Sequence, residues 1–324
     1  MTGGRNSFRI LTGFALLLLL SGALSYLTLF SGSVGLSWSD VFLFDRSVGS
    51  RVFWEIRVPR LAAAVLSGIS LSVAGLSLQT LFRNPLAGPF VLGISSGASL
   101  GVALSLLAGF SFGRFGVLSA AAVGALAVMA LVMAVSSRFR NSTVLLIVGL
   151  LVGYFIDALV SLLIANGNAE SLKVYVSWGM GSFGRLTLDA VWVFALSVLV
   201  GCGLVGLSMR YLNAVRLGDE FAAGLGVNVR LYRRLVLLGA SLLAAASTAF
   251  CGPVAFVGIA VPHLTVMLFR TGNHRVLLPG SALCGTALCL ASCQFVTVPL
   301  NAILSLVGVP VVLLVISRGK GVRE

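Results

Sequence analysis

RYLNAVRLGDEFAAGLGVNVRLYRR, residues 210–234, is the one long polar interruption in a chain that is otherwise almost entirely apolar. It holds five arginines and the only adjacent carboxylates, Asp219 and Glu220, which open a short helical pattern that Gly224 and Gly226 close. That pattern leaves Leu217, Phe221, Ala222 and Leu225 to face something outside the loop. A helix this short is marginal in water and persists only against what it packs on. The stretch therefore reads as a docking element for another protein, and the rest of the chain as a membrane body that it moves.

Composition supports the membrane body. Of the 324 residues, 58% are hydrophobic and only 10% charged, with a mean hydropathy of +1.08. A helix needs roughly 20 apolar residues to cross a bilayer, and helices are the default because lipid offers the backbone no hydrogen-bond partners. Spans are expected at about 10–30, 58–82, 92–110, 117–137, 142–165, 190–209, 232–250, 254–270, 277–297 and 301–317. The fold class is all-α: a polytopic membrane protein of about ten transmembrane helices in a single domain, 1–324, with residues 210–234 as a cytoplasmic loop. The run from Ile10 to Phe30 reads as a retained helix, because apolar residues continue past the faint cleavage pattern at Ala23-Leu24-Ser25.

The net charge of +13 would suggest nucleic acid in a soluble protein. Here the cations fall mostly in short loops between apolar runs, where they set topology. With both termini in the cytoplasm, fifteen of the 22 cations lie inside, including Arg5, Arg9, Arg83, Arg138, Arg140, Arg270, Arg275 and Arg323; Arg46, Arg51, Arg57, Arg60, Arg114, Lys173 and Arg185 lie outside. The five cysteines sit in apolar segments without CxxC spacing and read as small buried hydrophobes, so no metal or disulfide is expected.

Lipid gives helices no hydrophobic reason to associate, so small residues should mark their contacts. Gly97 with Gly101, and Gly149 with Gly153, have the required spacing. Two Gly-Pro breaks, at Gly88-Pro89 and Gly252-Pro253, are each followed by an apolar run and Gly-Ile. The first is expected near the cytoplasm and the second near the outside. Together they suggest an inverted repeat, spans two to five against seven to ten.

Several motifs have competing readings. Gly93-Ile94-Ser95-Ser96-Gly97 matches a serine-hydrolase elbow, with His263 and His274 as possible bases. A proline-rich loop precedes it and an apolar helix follows, so a helix N-cap by Ser95 or Ser96 fits better. Asp157, the one carboxylate expected inside the hydrocarbon, reads as lining a pathway or as an interhelical hydrogen bond, with proton-coupled secondary transport as an alternative. Arg57 and Arg60, three apart at the outer mouth of span two, read as interfacial anchors or as a fork for the carboxylates of a soluble partner. No G-x-x-x-x-G-K-[ST] occurs, so any nucleotide must be bound by another chain.

Four long stretches carry a family resemblance: RVPRLAAAVLSGISLSVAGLSLQTLFRNPLAGPFVLGISSGASLG from Arg57, VSWGMGSFG from Val176, RLGDEFAAGLGVNV from Arg216, and FVGIAVPHLTVMLFRTGNHRVLLPGSAL from Phe256. The chain resembles the permease subunits of type II ABC importers for vitamin B12, haem and ferric siderophores. The resemblance implies ten helices per subunit in a homodimer in the bacterial inner membrane, with the path at the dimer axis. It also implies two ATP-binding subunits beneath, which hold the ATP and magnesium, and a substrate-binding protein above. By position, Leu217, Gly218, Asp219, Glu220, Phe221, Ala222, Leu225, Gly226 and Val227 would couple to the ATPase. Arg57 and Arg60 would pair with acidic residues of the binding protein. Ser142 and Thr143 would sit at the inner gate, and Gly93, Ser95, Ser96 and Asp157 along the path. Where the family often has a further basic residue and Glu-Leu-Pro before its last helix, this chain has Gln294 and Val298.

Overall fold

The structure, a computed structural model, describes residues 2–32, 34–36, 40–41, 47–110, 116–138, 142–295 and 298–320. Of the cations weighed for orientation, Arg46, Arg114, Arg140 and Arg323 lie outside this set. The described residues form fourteen α-helices, thirteen of them numbered below and one of four residues at Val48–Arg51, and no strand. Helix α1 is Thr2–Phe30; α2 is Val58–Phe82, entered through a short helix, Val48–Arg51, and a π-helical stretch, Val52–Arg57; α3 is Ile94–Leu106; α4 is Val117–Arg138; α5 is Ser142–Asn166. A surface helix α6, Ala169–Gly179, precedes α7, Leu188–Leu207. The polar loop holds α8, Met209–Val215, and α9, Asp219–Gly224. Then come α10, Val229–Cys251; α11, Val257–Phe269; α12, His274–Ser292; and α13, Leu300–Lys320.

Seven helices are long and apolar enough to cross a membrane, and α3, α11 and α13 supply three shorter apolar stretches. Each of the ten expected spans coincides with one of these helices, seven of them long enough to cross. Two differ from expectation in kind: α3 and α11 have 13 residues each, about 20 Å at 1.5 Å per residue, which is less than a hydrocarbon core. Each is entered from a left-handed residue, Gly93 at φ 72° and Phe256 at φ 64°. The break at Gly88-Pro89 packs on the first turn of α11 beside the middle of α2: a Cβ on Gly258 would lie 2.7 Å from Pro89 Cδ and 3.0 Å from the Leu71 carbonyl. Gly252-Pro253 lies elsewhere, against Trp178, Gly181 and Asn301. Irregular backbone is tolerated inside a membrane protein when protein covers it, and Ala87, Gly88, Pro89 and Gly258 are all buried.

Helices α2 and α10 form the centre, while α1, α4, α5 and α7 stand at the periphery with most of their surface uncovered. Small residues let the central helices touch backbone to backbone. A Cβ on Gly75 would fall 1.8 Å from the Gly258 carbonyl oxygen, and one on Gly285 would fall 2.3 Å from that of Gly68. Gly97 and Gly101 contact Gly124 and Ala120 of α4 as expected, whereas Gly149 meets the Val91 carbonyl of the break rather than another helix. Two buried hydroxyls in α2 are satisfied locally: Ser72 Oγ donates to the Gly68 carbonyl at 2.6 Å and Ser77 Oγ to that of Val73 at 2.6 Å.

Candidate functional site

The polar loop folds into a foot at one end of the bundle. Gly218, at φ 125°, ends the turn after α8, and Gly226, at φ 78°, ends the turn after α9. Leu217 just before this segment, Phe221 within α9 and Leu225 at its C-cap are 70%, 49% and 63% exposed. The sequence put Ala222 on the same face. It is instead fully buried, because one residue beyond Phe221 turns by about 100° toward the bundle, and it anchors the helix there. Val227 is partly buried against the core, and Gly218 is half-buried, while Asp219, Glu220 and Gly226 are exposed.

Side-chain contacts fix the foot to the helices above it. Arg83, which ends α2 in a left-handed conformation, lies 3.4 Å from Asp219 (Nη2 to Oδ1). Asn213 of α8 accepts two hydrogen bonds at Oδ1 from His274, one from the backbone N–H and one from Nδ1, both at 2.9 Å. Nδ1 must carry the proton, since the amide oxygen can only accept. Nε2 then faces Thr80 Oγ1 of α2 at 2.9 Å. His274 is 1% exposed and links α2, α8 and the start of α12. Arg216 donates to the Gly272 carbonyl, and Tyr211 stacks on Tyr232 with ring centroids 6.0 Å apart. The sequence marked α9 itself but missed this linkage, for which the polar Asn-His pair 61 residues apart gave no local signal.

The end of the bundle away from the foot differs from expectation at Arg57. Its guanidinium is 7% exposed and donates to the carbonyls of Leu29 at 2.7 Å and Val34 at 2.6 Å. It ties the end of α1 to α2 and does not form an exposed fork with Arg60. Arg60 is half-buried and donates to the Cys293 carbonyl at the end of α12, 2.8 Å away.

Along the bundle, the cap of α3 is Gly93, with no side-chain cap; Ser95 and Ser96 lie inside the first turn, which corrects the N-cap assignment. Ser95 is buried with its Oγ 3.4 Å from Thr248 Oγ1. His263 is bonded to the Pro85 carbonyl at 2.9 Å and His274 to the foot, so neither imidazole serves Ser95 or Ser96 as a hydrolase base would. Asp157 is exposed on α5, as are Tyr154 and Phe155. Thr143 is exposed at the foot end of α5; Ser142 begins that helix, and its side chain lies outside the described residues. Among the described residues no three His, Cys, Asp or Glu side chains cluster as metal ligands would.

A family profile fits residues 16–318 of the chain. The chain belongs to the FecCD transport family. It is 35% identical to the hemin transport system permease protein HmuU of Yersinia pestis, covering 99% of both chains. It is 31% identical to the vitamin B12 import system permease protein BtuC of Klebsiella pneumoniae, covering 98% of this chain and 96% of that one, and 31% identical to the molybdate import system permease protein MolB of Haemophilus influenzae, covering 93% of each. Among solved structures it resembles an inward-facing metal-chelate type ABC transporter, with a TM-score of 0.84 and 29% identity over 95% of this chain and 99% of that one. The chain is thus a multi-pass membrane permease of the ABC-importer type, and ATP hydrolysis in this family is done by a separate subunit.

Proposed function

We propose that the chain forms the membrane path of a metal-chelate importer in the bacterial inner membrane, paired with a second copy of itself. Two ATP-binding subunits, holding ATP and magnesium, grip the foot from the cytoplasm, where both termini lie, and a soluble substrate-binding protein delivers cargo from the opposite side. The observation that carries this reading is the exposure of Leu217, Phe221 and Leu225 on and beside α9, in a polar loop that Arg83–Asp219 and Asn213–His274 tie to the bundle. An exposed apolar patch is costly in water unless a partner covers it. The residues Leu217 to Val227, with Gly218, Asp219, Glu220, Ala222 and Gly226 shaping the helix, act as the coupling element. Closure of the ATPase dimer then pushes through Asp219–Arg83 into α2, and the two permease copies rock so that access alternates.

Cargo in this reading is a haem, cobalamin or siderophore chelate, consistent with the hemin and vitamin B12 named for the relatives. The exposed face of α5, with Asp157 and, toward the cytoplasm, Ser142 and Thr143, borders the path against the second copy. A carboxylate at membrane depth favours a protein- or water-lined space over lipid. Gly93, Ser95 and Ser96 border the same path from α3. The test is reconstitution with the ATPase subunits in vesicles: uptake of the chelate that the binding protein retains should require ATP. Uptake by the permease alone would overturn the assignment.

A further inference from the structure

Beside the foot lies a cavity of about 350 Å³, inside the roughly 300–1,000 Å³ range of small-ligand pockets. Its lining includes Gln79, Arg83, Arg216, His263, Val266 and Thr271, and among the described residues no carboxylate lines it. The two guanidiniums reach it from different segments, and each is tethered at one point. Arg83 Nη2 stands 3.4 Å from Asp219 Oδ1, and Arg216 Nη1 donates to the Gly272 carbonyl. A guanidinium carries five N–H donors in a planar fork, so most of both sets stay open to a ligand. Gly272 makes the seat of Arg216 possible, because a Cβ there would fall 1.6 Å from Nη1. Arg83 sits at φ 49°, a left-handed position where glycine is the usual occupant and a side chain costs strain. Such strain persists where the side chain has a task.

Other polar groups complete and brace the cavity. The Thr271 hydroxyl accepts from the Asn273 N–H at 3.3 Å, which leaves its own hydrogen to give. His263 Nε2 donates to the Pro85 carbonyl at 2.9 Å and Gln79 Nε2 to the Ile259 carbonyl at 3.1 Å, tying α11 to the end of α2 and the loop that follows it. The surroundings are basic. Arg9 donates to the carbonyls of Leu268 at 2.8 Å and Met267 at 3.2 Å at the end of α11, and Arg270 and Arg275 are exposed on either side of the turn into α12. Charge of one sign gathered at a cleft raises the local concentration of counter-ions.

We propose that this cavity binds a phosphate group, held between Arg83 and Arg216 with Thr271 as a further donor. Guanidinium forks match phosphate oxygens in pairs, and a tetrahedral oxyanion meets donors arriving from separate walls, whereas a carboxylate presents two oxygens in one plane. The phosphate is either free in solution or carried by an anionic phospholipid. Basic pockets between membrane helices bind such headgroups, and the exposed Val266 gives the mouth an apolar edge. The site is separate from the exposed Leu217, Phe221 and Leu225 and does not depend on the importer reading. A bound phosphate bridges the end of α2 to the loop that carries α9.

The test uses the full-length permease in dodecyl maltoside without ATPase subunits, whose nucleotide sites would themselves take up phosphate. Calorimetric titration with sodium phosphate and with dihexanoyl-phosphatidylglycerol, each against sodium chloride at matched ionic strength, separates the two sources. Binding of both ligands shows that the phosphate group itself is recognised, and binding of one alone assigns the source. Either result supports the proposal when Arg216→Gln weakens that binding by about tenfold, the loss expected for one charged hydrogen-bond partner. No heat beyond the chloride control for either ligand overturns it, and so does an unchanged affinity in Arg216→Gln. Should Arg216→Gln not insert, Val266→Glu keeps both arginines and sets a carboxylate at the mouth. Its affinity should fall by a similar factor, and an unchanged value overturns the site.

Discussion

Arg83 Nη2 and Asp219 Oδ1 stand 3.4 Å apart, joining the residue that ends α2 to the first residue of the foot helix α9. Both side chains are 50% exposed, and ion pairs this open contribute only about 0–1 kcal/mol to stability. What the pair sets is the position of the foot relative to the central helix. Asp219→Lys should therefore leave the melting temperature of the purified permease nearly unchanged while lowering uptake per ATP hydrolysed. The double exchange Arg83→Asp with Asp219→Arg should restore much of the coupling. Equal ratios of uptake to hydrolysis in all three proteins would show that force enters elsewhere.

Phe221 lies between the exposed Leu217 and Leu225. Phe221→Asp should insert and melt like the wild type, because the side chain contributes little to the core, but should cut ATP-driven uptake by about tenfold through loss of a buried interface anchor. Comparing ATPase association by pull-down with vesicle uptake checks this, and normal uptake would count against the coupling role.

The His274 cluster makes the opposite forecast. The imidazole is buried and joins Asn213 to Thr80, so His274→Ala leaves polar partners unsatisfied at a cost of about 1–3 kcal/mol. Thermal unfolding of the detergent-solubilised permease should shift down by several degrees, in contrast to Phe221→Asp. An unchanged transition would mean that the foot is held by Arg83 and Arg216 alone.

Gly75 tests the packing of the broken helices. Its missing Cβ would sit 1.8 Å from the Gly258 carbonyl oxygen, whereas Gly203 has nothing within 4 Å. Gly75→Ala should destabilise the bundle by about 1–3 kcal/mol through backbone displacement, and Gly203→Ala should be neutral. Parallel melting curves for the two variants would show that α2 and α11 separate without cost.

Much of the fold was legible from residues 210–234 and the apolar runs around them. Leu217, Phe221 and Leu225 repeat every four positions and all three remain exposed in the folded loop, although only Phe221 lies within α9. Ala222 could not be placed, because an alanine beside a stripe fits either the stripe or the anchor, and only the position of the bundle decides. Arg57 and Arg60 look equivalent in RVPR, three residues apart on a helix. Their fates diverge because the end of α1 covers one of them.

The order of apolar lengths and polar loops determined that this chain crosses a membrane as helices, since hydrocarbon leaves the backbone no other way to pair its own N–H and C=O groups. The same order determined that one amphipathic foot stands outside the bundle. Tertiary structure alone decided that Pro89 of the first break packs on Gly258 of α11, and that Arg60 shares its cavity with Arg185, 125 positions further along the chain. Those contacts join segments far apart in sequence through close backbone approach, and no local pattern of residue types records which glycine lies against which partner.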